Sequence, residues 1–243
     1  MEYTEFYEFL NTVAADNRLS HLIDEQKSRK LYFLMTHMLE VNKSMNLTAI
    51  KEEKGIVVRH FLDSLTVAAF LPENATILDV GCGAGFPCLP LGICRPDLRI
   101  TALDSTEKRI KYVRDTAKAL EIPHFTAITA RAEELGHDAA YRARFDAVTA
   151  CAVAALPALA ELSLPFVRIG GHFIAMKARK GEEELSAAKT AIEKLGGTVR
   201  AVHALSLTDS AATDERLLID VEKTSPTPEA LPRAWGKILK KPL

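Results

Sequence analysis

Apolar residues in the first seventy positions recur at intervals of three and four. Tyr3, Phe6, Tyr7, Leu10, Val13 and Ala14 share one face, as do Leu31, Leu34, Met35, Met38 and Leu39, and then Val58, Phe61, Leu62, Leu65 and Ala69. That period predicts amphipathic helices, closed off by Pro72. From residue 76 the pattern changes to short apolar runs separated by helix-length stretches. The runs at 76–80, 99–103, 125–129, 145–149 and 172–176 read as five buried strands. Between the second and third, Ile110, Val113, Ala117 and Leu120 mark a helix whose other face, with Lys108, Arg109, Lys111, Arg114 and Lys118, is solvated. Helices are predicted over 156–167 and over 182–195, the latter ended by Gly196-Gly197. Two more strands, 199–205 and 217–221, have no helix-length connection and should pair antiparallel at an edge. The pattern predicts an α/β fold with a mostly parallel, Rossmann-like sheet covered on both faces. Its expected organisation is an N-terminal helical extension (1–71), a core (72–222) and a C-terminal tail (223–243).

Composition narrows this little. The 243 residues are 48% hydrophobic and 26% charged, which excludes a disordered or collagen-like chain. Lys and Arg (31) balance Asp and Glu (32), so contact with a polyanion must use local patches. The acidic start MEYTEFYEFL is not a signal peptide, and no apolar run approaches the roughly 18 residues of a membrane span. A cytoplasmic, monomeric protein with no membrane partner is expected. Cys82, Cys88 and Cys94 are evenly spaced, but zinc sites place paired ligands two to four residues apart. Buried, reduced thiols fit better, and no metal is expected.

Chemistry concentrates at the end of the first strand, in Leu78-Asp79-Val80-Gly81-Cys82-Gly83-Ala84-Gly85-Phe86-Pro87. Gly81, Gly83 and Gly85 allow a tight turn and a close approach of backbone to ligand. A dinucleotide fingerprint needs glycine at position 86, where bulky Phe86 instead crowds a pyrophosphate. Asp104 follows the second strand, about 20 residues on, where an acid can accept from both ribose hydroxyls. This register favours S-adenosyl-L-methionine over a dinucleotide. Ser105 and Thr106 also fit as helix caps.

The run DVGCGAGFPCLPLGI (79–93) resembles the binding loop of the RsmG (GidB) family, bacterial methyltransferases acting on guanine N7 of 16S ribosomal RNA. NLTAI (46–50), RHFLDSL (59–65), LDSTEKRIKYV (103–113), ARAEEL (130–135), FDAVTACAVAAL (145–156), GGHFIAMK (170–177) and the final KKPL extend the likeness over nearly the whole chain. The resemblance implies the class I S-adenosylmethionine-dependent methyltransferase fold and modification of the small-subunit decoding region. It implies cofactor contacts at Gly81, Phe86 and Asp104, with Ala132 and Glu133 beside the adenine. Where the family usually has a cofactor-binding arginine, this chain has Cys151, and Cys88 replaces a common glycine. The loop Lys177-Ala178-Arg179-Lys180-Gly181 departs from the usual Lys-Gly, so Arg179 and Lys180 are candidates to replace the missing charge.

Guanine N7 carries a free lone pair, so no general base is expected. Asp63 and Asp79 are the candidate carboxylates for stabilising positive charge on the product. His60 and Asp63 share a helical face and either touch ligand or join the helical cap to the core. Asn46 is a site residue or a turn former. Lys177 suits a phosphate or is simply exposed. In the tail, Lys223, Arg233, Lys237, Lys240 and Lys241 face only Glu229, with Trp235 among them. That composition suits RNA backbone contact with base stacking, although such a run is more often merely solvated. The substrate-RNA candidates are therefore Lys177, Arg179, Lys180, Lys237, Lys240 and Lys241, and the expected partner is 16S ribosomal RNA or an assembling small subunit. Two other functions fit the same residues: methylation of a small molecule or protein, and RNA binding without catalysis.

Overall fold

The computed structural model describes residues 1–178, 181–209 and 212–243. Helix α1 (Tyr3–Asp16) buries Phe6, Leu10, Val13 and Ala14. Helix α2 (Glu25–Met45) buries Leu31, Leu34, Met35 and Met38, and its first turn is capped by Asp24, which accepts from the Lys27 amide at 2.8 Å. Helix α3 (53–65) widens to π-helical turns over Val57–Leu62 and buries Val57, Val58, Phe61, Leu62 and Leu65. The N-terminal ammonium holds Glu53 at the start of α3, 2.5 Å away.

Seven strands follow: β1 (Thr76–Val80), β2 (Arg99–Asp104), β3 (Phe125–Thr129), β4 (Phe145–Cys151), β5 (Val167–Ala178), β6 (Gly197–Asp209) and β7 (Ala212–Lys223). Their order is β3-β2-β1-β4-β5-β7-β6. The first five are parallel, and β7 lies antiparallel between β5 and β6. Helices α4 (Cys88–Cys94), α5 (Glu107–Ala119), α6 (Ala132–Leu135), α7 (Leu156–Ser163) and α8 (Gly181–Lys194) connect them, and α9 (Trp235–Lys240) lies in the tail. The central strands β1 and β4 are buried on both faces, as parallel strands require, whereas the outer strands β3 and β6 stay partly exposed. Ile77, Ile100 and Ile174 pack with the N-terminal helices, while Leu78, Val148 and Phe173 belong to a second core with α7 and α8.

The differences from the sequence expectation are local. The helix expected over 156–167 stops at Ser163, passes through a 3-10 turn (Leu164–Phe166), and Val167 already belongs to β5. The early part of β5 was hidden because it is irregular. Phe145 pairs with Val167 and Ala147 with His172, so 168–171 bulge from the ladder, with Gly170 at φ 75°. The hairpin strands β6 and β7 are also several residues longer than their apolar centres.

Chain order reverses between β1 and β4: β2 and β3 lie on one side, β4 and β5 on the other. In doubly wound sheets, such a switch point opens a crevice at the carboxyl ends of the strands.

Candidate functional site

A cavity of about 430 Å³ occupies that crevice. Its floor is the loop after β1. The Gly81 and Cys82 amides donate to the Leu103 carbonyl at 2.7 and 3.0 Å, fastening the loop to β2. The Gly83 amide donates to Oδ2 of Asp104 at 3.0 Å, and the Thr106 amide to Oδ1 at 2.8 Å. Asp104 is thus fixed before any ligand arrives, and Arg109 stands 3.8 Å away. Gly83 has φ 56°, and a Cβ there would meet nothing closer than the Gly81 carbonyl at 3.9 Å. The position is open, which leaves room for a ligand against the backbone. Gly85 is closed: its Cβ would lie 2.4 Å from Leu89 Cδ1.

The N-terminal helices supply a second wall. Asn46 ends α2 in the left-handed conformation, φ 50°, and is a turn former outside the cavity. Asn42 clasps the following loop through both backbone groups of Thr48, each at 3.0 Å. Thr48 Oγ1 in turn bonds His60 Nε2 at 2.8 Å. The His60 ring stacks on Phe86, 4.3 Å between centroids and 7° between planes. His60 therefore both lines the cavity and joins the helical cap to the glycine loop. Burial pushes its pKa down to about 4, so the ring is neutral at physiological pH.

Of the residues singled out from sequence, Gly81, Gly83, Phe86, Asp104, Ala132, Glu133 and Cys151 line this cavity. Gly85 and Asp79 do not. Asp79 is 1% exposed beneath the loop, accepting from the Cys88 amide and from Thr149 Oγ1, both at 3.2 Å. Burial pushes its pKa up to about 7. With no path to a substrate, it braces the loop and α4 rather than meeting product charge. Leu47, Thr48 and Arg131 also line the cavity without having been singled out, as do Arg109, read from sequence as part of a solvated helix face, and Trp235, read as an RNA-stacking residue of the tail. Arg131 and Trp235 stand in charged, weakly periodic stretches where exposure is the ordinary expectation.

A second cavity, about 470 Å³, adjoins the first across Cys151, Ala152 and Val153, which border both. Asp63, Lys177, Glu184 and Arg216 line it. Asp63 accepts from Arg216 Nε at 3.0 Å; burial raises its pKa and Arg216 opposes the shift. Lys177 is neither exposed nor free: it is 9% exposed, donates to the Ala154 carbonyl at 2.6 Å, and meets Glu184 at 2.8 Å. Arg179 and Lys180 lie outside the described residues. The Cys151 thiol is pushed by burial up to about 12 and is neutral.

The tail also differs from the cationic strand read from its sequence. Lys223 is 2% exposed and donates to the Leu195 carbonyl and to Thr227. Arg233 is consumed by Glu161, whose carboxylate accepts from its amide, Nε and Nη2. Only Lys237, Lys240 and Lys241 of the tail cations face solvent without an ion pair among the described residues.

The family model for rRNA small subunit methyltransferase G (GidB) matches residues 8–213. The chain belongs to that family. Relatives agree over nearly the full length. The ribosomal RNA small subunit methyltransferase G of Brevibacillus brevis is 42% identical over 224 residues, covering 91% of this chain and 93% of the relative. The Deinococcus radiodurans protein of the same name is 46% identical over 222 residues, 90% and 85% of the two chains. Among solved structures, an O-methyltransferase from Bacillus cereus in complex with SAH superposes with a TM-score of 0.53 at 19% identity, covering 78% of this chain and 91% of that one. The member described here therefore has the class I methyltransferase fold with an antiparallel hairpin at one edge. Among its described residues no helix is long and apolar enough to cross a membrane, and no cluster of His, Cys, Asp and Glu has the makings of a metal site.

Proposed function

We propose that this chain transfers the methyl group of S-adenosyl-L-methionine to N7 of a guanine in 16S ribosomal RNA, in the cytoplasm. The observation that carries the reading is the glycine loop tied to Asp104 on the floor of a cavity at the sheet's switch point, in a chain of this family. The open backbone at Gly83 and the pre-oriented carboxylate fit the ribose of an adenosyl group. Ala132 and Glu133 border its base.

Bound in the cavity, the cofactor supplies an electrophilic methyl on a sulfonium. The protein's work is positional. The target guanine enters the neighbouring cavity, and Cys151, Ala152 and Val153 form the border where methyl and N7 meet. N7 has no proton to lose, so no residue serves as base. Holding the two reactants in line and dry can supply in principle up to about 7–11 kcal/mol of the barrier. Methylation leaves a cationic base, and Asp63 and Glu184 are the carboxylates facing it. Lys237, Lys240 and Lys241 hold the RNA backbone.

The test is mass mapping of 16S ribosomal RNA from cells with and without the gene, paired with tritiated-methyl transfer to naked RNA and to small subunits. A methylguanine present only with the gene is expected. Identical maps, or methyl transfer to a protein or small molecule alone, would overturn the assignment.

A further inference from the structure

The tail after β7 turns back over the core and is fixed there at several points. Arg142 donates to four carbonyls: Nη1 to Gly136 at 2.7 Å and Leu231 at 2.9 Å, Nη2 to Thr227 at 2.8 Å and Pro228 at 3.0 Å. The His137 ring bonds the Pro232 carbonyl at 2.8 Å. Arg233 closes on Glu161, a carboxylate with no solvent exposure. Ile238 is fully buried. Between these anchors, two residues past Arg233, stands Trp235. It joins the apolar cluster that includes Ala130, Ala132 and Leu162, and with them lines the first cavity.

The cavity's polar fixture for a ligand is Asp104 at the end of β2. On the cofactor reading above, a ribose held there has its base beside the loop after β3, where Ala130, Ala132 and Glu133 line the wall. His60 and Phe86, the other two rings of the lining, are stacked on each other beside the glycine loop. Trp235 is the aromatic surface left for a purine. Its rigidity matters: an indole already held by the tail loses little conformational freedom when a flat ring packs on it.

Resting on the cofactor reading above, we propose that Trp235 is a cofactor-binding residue, a wall against which the adenine ring of the adenosyl ligand packs. The tail is then part of the cofactor site, and its single aromatic residue faces cofactor instead of RNA.

Trp235 is the sole tryptophan of the chain, so emission excited at the red edge, where tyrosine does not absorb, reports on it alone. The probe is S-adenosylhomocysteine, followed in parallel by calorimetry. Titrating the wild type should change the tryptophan emission saturably, with the calorimetric midpoint. Trp235→Ala should weaken calorimetric affinity by about tenfold, and Trp235→Phe should recover most of the loss. RNA affinity without cofactor should be equal in wild type and W235A. Binding to the wild type that leaves the emission unmoved would overturn the proposal, as would equal affinity of W235A and wild type. Loss of RNA affinity in W235A with cofactor affinity intact would place the residue on the RNA surface instead. A wild type that shows no calorimetric binding at all removes the cofactor reading itself, a result distinct from the others.

Discussion

Single side chains carry contradictory demands here, and Asp104 shows how they are met. It is buried, yet its oxygens are spoken for by the Gly83 and Thr106 amides, which leaves further lone pairs toward the cavity. Asp104→Ala should cost about 1–3 kcal/mol of S-adenosylmethionine affinity by calorimetry, because both the ribose acceptor and the loop tether go. Unchanged affinity would remove Asp104 from the site. Lys223 makes a second prediction. Burial, helped by the nearby Arg142 charge, lowers its pKa to about 7. The folded state therefore prefers the neutral amine. The stability this group contributes is full above the unfolded pKa and is lost as pH falls toward and through 7. In urea denaturation, wild type should gain stability relative to Lys223→Met between pH 7 and 9.5. A constant difference between the two would mean that the amine does not titrate in that range. The acid at Asp104 was readable from its distance to the glycine loop. The state of Lys223 was not, since a lysine in a proline-containing tail looks solvated until its partners Leu195, just past α8, and Thr227 are known.

At the scale of elements, the loop after β1 is braced from two sides. Asp79 holds the first residue of α4 from below, and Phe86 carries the His60 ring of α3 from above. Neither group removes a proton, so single-turnover rate in saturating substrate should be nearly flat between about pH 6 and 8.5. His60 is neutral throughout that range. Asp79, near 7, is the one braced group whose charge changes within it, and any shallow inflection should vanish in Asp79→Asn. A slope-one rise that persists in that variant would mean the attacking atom loses a proton. Strand centres and the glycine loop were legible because apolar runs and glycine spacing are local signals. The bulged start of β5 and the six-residue α9 were not, as four looped residues and a turn and a half of helix leave no period to detect. The Asp63–Arg216 pair spans α3 and β7, a contact that composition alone does not announce.

Across the whole molecule, positive charge available to RNA is smaller than the sequence suggests, because Lys177, Lys223 and Arg233 are spent inside. The solvent-facing remainder of the tail is Lys237, Lys240 and Lys241. Neutralising all three should weaken RNA binding, leave cofactor affinity unchanged, and flatten the log–log salt dependence by about 0.7–0.9 per lost phosphate contact. Melting temperature should hardly move, since exposed lysines contribute little to stability. Identical salt slopes would shift the RNA surface away from the tail. The class of fold was visible in the alternation of runs, whereas the packing of the tail on α7 was invisible, because its anchors are Arg142 and the Glu161 carboxylate, far off in sequence.

The insertion of β7 between β5 and β6 has a consequence for how the chain is made. β6 leaves the ribosome first but occupies the outer edge, and its neighbour in the sheet is β7, synthesised after it. Asn17, at the end of α1, bonds both backbone groups of Thr208 on β6, 191 residues away. The first helix therefore finds its final partners only after the last strand has emerged. Parallel strands from β1 to β5 can assemble as they appear, while the edge hairpin and its grip on α1 must wait. Released chains truncated before residue 212 should remain sensitive to protease at β6 and α1, whereas those ending past residue 223 should be resistant at both together.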